Sequence, residues 1–390
     1  MRWRYQSTVL ALCTLAFFVV MYARVAISPL VPDIAGTFGA SNAMMGLALS
    51  GMWVAYGLTQ FPSGVLGDRF GERPIVLLAL FGTATAAVLI AIAPGFTAFA
   101  LAAVILGGLA GFHYSAGTAL LARIHDNVGT AIGVHNSGAT VAGLLAPITV
   151  AGVAVQTGWR PAMLTAAAVA GLAGLAFRFG VRTTPPRRSD VPIGDRFHPA
   201  VVRDFLRRPV IAAALLVAVA AEFVWQAVAS FLPVFLVIHH GYGTTTAAVA
   251  FSAYFLSQGV AQIALGAIAD RFGADPTTVG CLGLGTLGLA ALILVPGPLG
   301  VTVGLVCLGI GMSFEASLLP RVIGALGVDE RASGLGLVRS GYIILGATGS
   351  VAVGSAADLV GWGPAFGGLA AVLFAGTVGY ALVWVAHRED

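Results

Sequence analysis

Twelve runs of about 20 to 28 residues, apolar on every face and separated by short loops, constrain this chain more than any other feature. They fall at 7–32, 43–66, 74–93, 96–120, 128–156, 161–181, 210–238, 245–268, 277–295, 298–322, 332–356 and 363–386. A hydrocarbon core ~30 Å thick is crossed by about 20 helical residues, and a helix satisfies every backbone donor and acceptor without water. The runs therefore predict transmembrane helices. Barrel strands would alternate polar and apolar residues over about ten positions, which these runs do not. Charged residues are only 9% of the chain, against about 25% in a soluble domain. The fold class is accordingly all-α, integral to a membrane. The first run is too long for a cleavable signal and lacks a small-residue cleavage site, so it is expected to remain as a helix.

The chain also repeats itself. Gly64-Val-Leu-Gly-Asp68-Arg69-Phe-Gly71-Glu72-Arg73 lies between the second and third runs, and 202 residues later Gly266-Ala-Ile-Ala-Asp270-Arg271-Phe-Gly273-Ala-Asp275 lies between the eighth and ninth. A strongly charged loop repeated at half the length implies two similar halves. The same offset, to within a residue, superposes Leu106 to His113 on Leu308 to Glu315, Gly133 to Gly138 on Gly336 to Gly341, and Gln60 on Gln262. Arg24 falls on Gln226 and Ser28 on Ser230. The decamer resembles GxxxDRxGxR, the loop between the second and third helices of the major facilitator superfamily. The resemblance implies twelve transmembrane helices in two pseudo-symmetric six-helix bundles, and a secondary transporter. The expected organisation is a bundle at 1–181, a cytoplasmic linker at 182–209 and a second bundle at 210–390.

Arginine placement orients the helices. One side would hold Arg2, Arg4, Arg69, Arg73, Arg123, Arg182, Arg271, Arg331 and Arg388, and the other only Arg160. This asymmetry predicts a multi-pass protein of the cytoplasmic membrane with both termini in the cytoplasm. The net charge of +4 does not indicate nucleic acid, because the arginines are scattered between apolar runs and form no basic face. No lysine occurs, so the phosphate-holding lysine of a P-loop is absent and ATP-driven transport within this chain is excluded. HExxH and GxSxG are missing too, which argues against a membrane protease or lipase. Cys13, Cys281 and Cys307 lie inside apolar runs at neither disulfide nor metal spacing. No enzyme activity, cofactor or metal is expected. The expected partners are a small molecule, protons and membrane lipids, with the protein acting as a monomer.

Ionisable and polar residues deep in the runs mark the candidate site. Such a residue costs at least ~2.5–3.5 kcal/mol on insertion scales unless paired or wetted. In transporters built from repeats the substrate site lies near the midplane between the halves. In the superfamily the chain resembles, the first and fourth helices of each half line the cavity, which selects Arg24, His113, Gln226 and Glu315. The surroundings of Arg24, Tyr22-Ala-Arg24-Val-Ala-Ile-Ser28-Pro29-Leu-Val-Pro32, are similar to the first helix of the organic-anion and organophosphate branch, although Ala23 stands where that branch usually has Asp. A guanidinium offers a fixed fork of donors that matches a carboxylate or phosphate.

Substrate binding is therefore expected at Arg24, Ser28, Tyr56, Gln60, His113, Gln226, Tyr254 and Gln258. Met52, Tyr56 and Gln60, and Tyr254, Gln258 and Gln262, run at i, i+4, i+8 along two helices, as a hydrated cavity wall or as helix-to-helix hydrogen bonds. Proton coupling is expected at Glu222, with Glu315 and His113 as further candidates, because buried carboxylates can take up a proton near neutral pH. Glu222 is also a candidate resting partner of Arg24, and His113 a candidate hydrogen-bond partner of Asn136. Trp53 and Trp225 are expected to pack the cavity. Gating is expected at Gly64, Asp68, Arg69, Gly71, Arg73, Asp270 and Arg271, with Asp68 and Asp270 capping the starts of the third and ninth helices. Arg339 is expected to form a gating ion pair with Glu315.

The leading functional reading is a proton-coupled transporter of a small, carboxylate-like organic anion, working by alternating access. The alternative is a drug/proton antiporter, because Gly133, Gly138, Gly143, Ala146-Pro147 and Gly152 loosely resemble the fifth-helix motif of those exporters. A cation exporter gains nothing from a central guanidinium. A third reading, a membrane receptor of this fold that does not transport, is disfavoured because no soluble domain is attached.

Overall fold

In a computed structural model, residues 2–186, 208–325 and 331–386 are described, with the side chains of 2–4 and 331–335 excepted. Most of the expected linker, 187–207, lies outside the described residues, as do the side chains of Arg2, Arg4, Arg331 and Arg388 that helped to orient the chain. Among the described residues all regular structure is helical. The chain divides into two compact units, one holding Met1–Ala40 and Ala48–Phe197, the other Ser41–Leu47 and His198–Asp390.

The first unit contains α1 (Arg2–Val25), a 3-10 turn (Ser28–Leu30), α2 (Val31–Phe38), α3 (Asn42–Phe70, whose first turns count with the second unit), α4 (Glu72–Ala91), α5 (Phe96–Ile124), α6 (Val128–Thr157) and α7 (Trp159–Gly180). The second contains α8 (Pro209–His240), α9 (Thr244–Phe272), α10 (Ala274–Leu294), α11 (Gly297–Gly311), α12 (Glu315–Gly324), α13 (Arg331–Gly346), α14 (Thr348–Val360) and α15 (Trp362–Ala386). Eleven helical stretches among the described residues are long and apolar enough to cross a membrane. The remaining expected span is α3, 29 residues long, which carries Ser50, Thr59, Gln60 and Ser63 among its apolar residues.

The units pack alike. In the first, α1 lies on α6 and α7, and α4 on α5 and α7; in the second, α8 lies on α13, α14 and α15, and α10 on α11 and α15. Two repeat-equivalent glycines show why. A Cβ on Gly107 would fall on the carbonyl of Met52, and one on Gly309 would lie 2.8 Å from the carbonyl oxygen of Tyr254. These glycines let α5 approach the backbone of α3, and α11 that of α9, closely, as small residues do in membrane bundles.

Three predicted spans are broken. The first stops at Val25 because Pro29 has no N–H to offer the Val25 carbonyl, and the chain tightens into the 3-10 turn before α2. The tenth breaks over 312–314, where Ser313 N–H reaches back three residues to the Ile310 carbonyl. The eleventh breaks at Ala347. Candidate charges stand at the first two breaks: Arg24 in the last turn of α1 and Glu315 in the first turn of α12. Each matches the sign that a helix end favours.

Candidate functional site

In the first unit the polar cluster is built around Arg24, which is only 3% exposed. Its Nε donates to the Val20 carbonyl at 3.0 Å, and Nη2 lies 3.5 Å from Met21 Sδ. The guanidinium carbon sits 3.8 Å from the Tyr56 ring centroid and 4.9 Å from that of Trp53. Two aromatic faces thus hold the guanidinium by cation–π attraction, an arrangement that uses none of its N–H donors. One turn beyond Tyr56, Gln60 is buried, and its Nε2 has no hydrogen-bond partner. Ser28 is buried in the 3-10 turn.

His113 is fully buried on α5, and neither ring nitrogen is hydrogen-bonded. It faces His135 of α6 with ring centroids 5.1 Å apart, and Phe17 of α1 packs on both rings at 5.7 and 5.0 Å. The expected hydrogen bond to Asn136 is not made: Asn136 Oδ1 is unpartnered, because α6 turns His135 toward α5. His135 went unnoticed in the sequence, although two histidines on adjacent apolar helices are a detectable signal.

In the second unit Gln226 Nε2 donates to Glu222 Oε1 at 2.9 Å and to the Ile343 carbonyl at 3.0 Å, so Glu222 is buried and tied to α13 through its i+4 neighbour. Ser230 pairs with Ser350 at 2.7 Å. Tyr254 is fully buried and its hydroxyl has no hydrogen-bond partner. Gln258 turns to packing: Nε2 donates to the Met312 carbonyl at 2.8 Å, stitching α9 to the break before α12, and Trp225 Nε1 approaches its Oε1 at 3.5 Å. Glu315 accepts a hydrogen bond from the Tyr342 hydroxyl and lies 4.0 Å from Arg339 Nε. Tyr342 was not singled out in the sequence, since nothing marks one tyrosine on an apolar helix. Arg24 and Glu222, read as resting partners, belong to different units.

The repeated loop corrects one expectation. Asp68 and Asp270 do not cap the third and ninth helices; they lie in the last turns of α3 and α9, which continue to Phe70 and Phe272. The helices end at Gly71 and Gly273, with φ of 87° and 98°, a left-handed geometry that disfavours any side chain and explains the second glycine of the motif. These glycines are the N-caps of α4 and α10, without side-chain caps. The acids in the first turns are instead Glu72 and Asp275. Each pairs with an arginine on the following span: Arg123 Nε is 3.3 Å from Glu72 Oε1, and Arg321 Nε is 3.1 Å from Asp275 Oδ2. Arg73 reaches the Arg178 carbonyl on α7. Arg69 and Arg271 lie over Phe70 and Phe272, their own neighbours in sequence, at 5.6 and 5.3 Å. Gly64 faces Ser115 of α5, with 3.6 Å available for a Cβ.

Known proteins resemble this chain in sequence and in fold. The profile of the Major Facilitator Superfamily matches residues 13–323 and 239–390. The Membrane sensor protein UhpC of Salmonella typhimurium is 26% identical over 207 residues, 51% of this chain and 46% of that protein. The Probable sulfoacetate transporter SauU of Cupriavidus necator is 27% identical over 191 residues, 47% and 43% of the two chains. A Probable hexose phosphate transport protein of Chlamydia trachomatis is 26% identical over 157 residues, 40% and 34%. The matches thus span half or less of these relatives' lengths. Among solved structures, the nucleoside transporter NupG superposes with a TM-score of 0.79 at 13% identity, covering 97% of this chain and 99% of that one. The D-xylose-proton symporter superposes with a TM-score of 0.79 at 15% identity, covering 97% of each chain. At such identities these structures speak for the fold alone. With its sequence matched across nearly its whole length and its helices laid out as in these structures, the chain belongs to the Major Facilitator Superfamily.

Proposed function

We propose that the protein is a secondary active transporter that moves a small organic anion across the cytoplasmic membrane by alternating access, coupled to protons. Both termini lie in the cytoplasm, and the protein works as a monomer without cofactor or metal. The observation that carries this reading is Arg24: a guanidinium 3% exposed at a broken helix end, its plane held by Tyr56 and Trp53. A guanidinium presents a fixed fork of donors that matches a carboxylate, sulfonate or phosphate in geometry and charge. Relatives named for sulfoacetate and hexose phosphate, both anions, agree with this class. They favour it over export of amphipathic cations.

Ser28, Gln60 and His113 of the first unit, and Gln226 and Tyr254 of the second, are the further substrate-binding candidates. Glu222 is the proton carrier, with Glu315 and His113 behind it. Binding an anion without a proton would leave a buried excess of negative charge, so proton uptake accompanies binding. Asp68, Asp270 and their neighbouring arginines act in gating.

The test is uptake of labelled carboxylates, sulfonates, phosphates and sugars into proteoliposomes, with and without a pH gradient. An anion should accumulate down the proton gradient and Arg24→Ala should abolish it; accumulation that survives Arg24→Ala removes the anion reading. The likeness to a membrane sensor protein supports a second reading, a receptor for the same ligand class. Anion binding by the purified protein, with no uptake at any pH gradient, would select it.

A further inference from the structure

At the end of the second unit where α8 and α10 begin and α15 finishes, a cavity of about 140 Å³ is lined by Val210 and Ala213 of α8, Asp275 of α10, Arg321 of α12, and Tyr380 and Trp384 of α15. It is too small for a drug-sized ligand, whose pockets run ~300–1,000 Å³. Its polar wall is arranged in an informative way. Asp275 is satisfied: Oδ1 accepts the Tyr380 hydroxyl at 2.6 Å and Arg321 Nε at 3.2 Å, and Oδ2 lies 3.1 Å from the same Nε. Arg321 therefore spends only Nε on the carboxylate. Its two terminal nitrogens carry four N–H donors beside the cavity, and 36% of the side chain remains exposed. Arg208, just before α8, adds a second cation nearby in sequence, its Nη1 donating to the carbonyl of Ala325 beyond the end of α12.

The surroundings belong to a membrane surface. Tyr380 and Trp384 stand one helical turn apart near the end of a spanning helix, where aromatic belts form, and on the same turns Leu382 and Val385 are 67% and 53% exposed, as on a lipid-facing side. A guanidinium fork with unspent donors beneath an interfacial tryptophan matches a phosphate group in geometry and charge. We propose that this cavity binds a phosphate group, that of an anionic phospholipid headgroup, with Arg321 as its anchor, Asp275 and Tyr380 holding the guanidinium in place and Trp384 flanking the acyl side. The orientation proposed above makes the leaflet the cytoplasmic one. The site stands whichever substrate is carried.

Native mass spectrometry of the purified full chain tests it, using phosphatidylglycerol, diacylglycerol as a phosphate-free control, and inorganic phosphate as competitor. Phosphatidylglycerol should be retained and diacylglycerol should not. Retention should weaken about ten- to a hundredfold in Arg321→Gln, the range expected for losing a charge-assisted hydrogen bond. Because Arg321→Gln also breaks an ion pair, Ala213→Phe serves as the second variant, filling the cavity with the pair intact, and it should weaken retention as strongly. Displacement of the lipid by millimolar phosphate would make a free phosphate the ligand of the same anchor. Equal retention of phosphatidylglycerol by the wild type and Ala213→Phe, or equal retention of diacylglycerol, overturns the proposal.

Discussion

The two acid–arginine pairs of the repeated loop differ in burial, and this difference predicts unequal sensitivity to mutation. Glu72 keeps 1% of its side chain exposed and Arg123 21%, whereas Asp275 keeps 16% and Arg321 36%. Replacing Arg123 by Ala leaves the Glu72 carboxylate buried without the cation 3.3 Å away, a change of the kind that costs ~3–5 kcal/mol. Replacing Glu72 by Gln should cost far less, because Arg123 retains its hydrogen bond to the Pro185 carbonyl and its route to solvent. The double variant should stand near Glu72→Gln, giving a coupling of roughly 3–5 kcal/mol, the full cost of Arg123→Ala. At ~2–4 °C per kcal/mol for a unit of this size, Arg123→Ala should lower the melting temperature by about 6–20 °C. The corresponding coupling at Asp275 and Arg321 should be about 1 kcal/mol or less, since solvent screens it. Thermal unfolding of the four Glu72/Arg123 variants in one detergent, followed by intrinsic fluorescence, gives the cycle directly. Additive losses at Glu72 and Arg123, or a larger coupling at the more exposed pair, would refute the assignment of burial as the cause.

Three further outcomes are expected. Arg24→Lys should restore little of the anion binding lost in Arg24→Ala, because an ammonium has neither the fork nor the flat face that lies on Tyr56; equilibrium binding of the transported anion reads this. If proton and anion binding are linked, lowering the pH should tighten anion affinity in the wild type, and Glu222→Gln should bind with a flatter pH profile and exchange anion without concentrating it. A Glu222→Gln protein that still concentrates substrate on a pH gradient would transfer the role to His113 or Glu315. Gly107→Leu should destabilise or misassemble the first unit far more than Gly133→Leu, because a Cβ at 107 meets the Met52 carbonyl whereas position 133 has open space, and detergent melting compares them.

Some properties of this protein are one-dimensional and others are not. Apolar run length, the scarcity of charge and the offset of the repeated decamer are properties of the chain itself. They sufficed for the membrane class, the helices and the twofold repetition, because a bilayer imposes the same requirement on every spanning segment. The break after Val25 was not read from the run 7–32, whose hydropathy is continuous; it follows from the missing N–H of Pro29. The end of α3 was not legible from hydropathy: the apolar run stops near residue 66, but backbone hydrogen bonding ignores side-chain polarity and continues until Gly71 turns left-handed. That shift of four residues moved Asp68 from the start of one helix to the end of another.

The partners of the deep residues needed three dimensions. Arg24, Glu222, Glu315 and Arg339 were marked by their cost in lipid alone, yet nothing in sequence says that Arg24 rests on Tyr56, that His113 faces His135, or that Tyr342 reaches Glu315. These contacts depend on how each helix is rotated about its axis. Rotation is readable when one face is polar, and these helices are apolar all round. The sequence by itself therefore determined that this is a duplicated, helical membrane protein with a few costly charges inside. Close packing of glycine-lined helix faces, a property of the folded units alone, decided which side chains those charges meet.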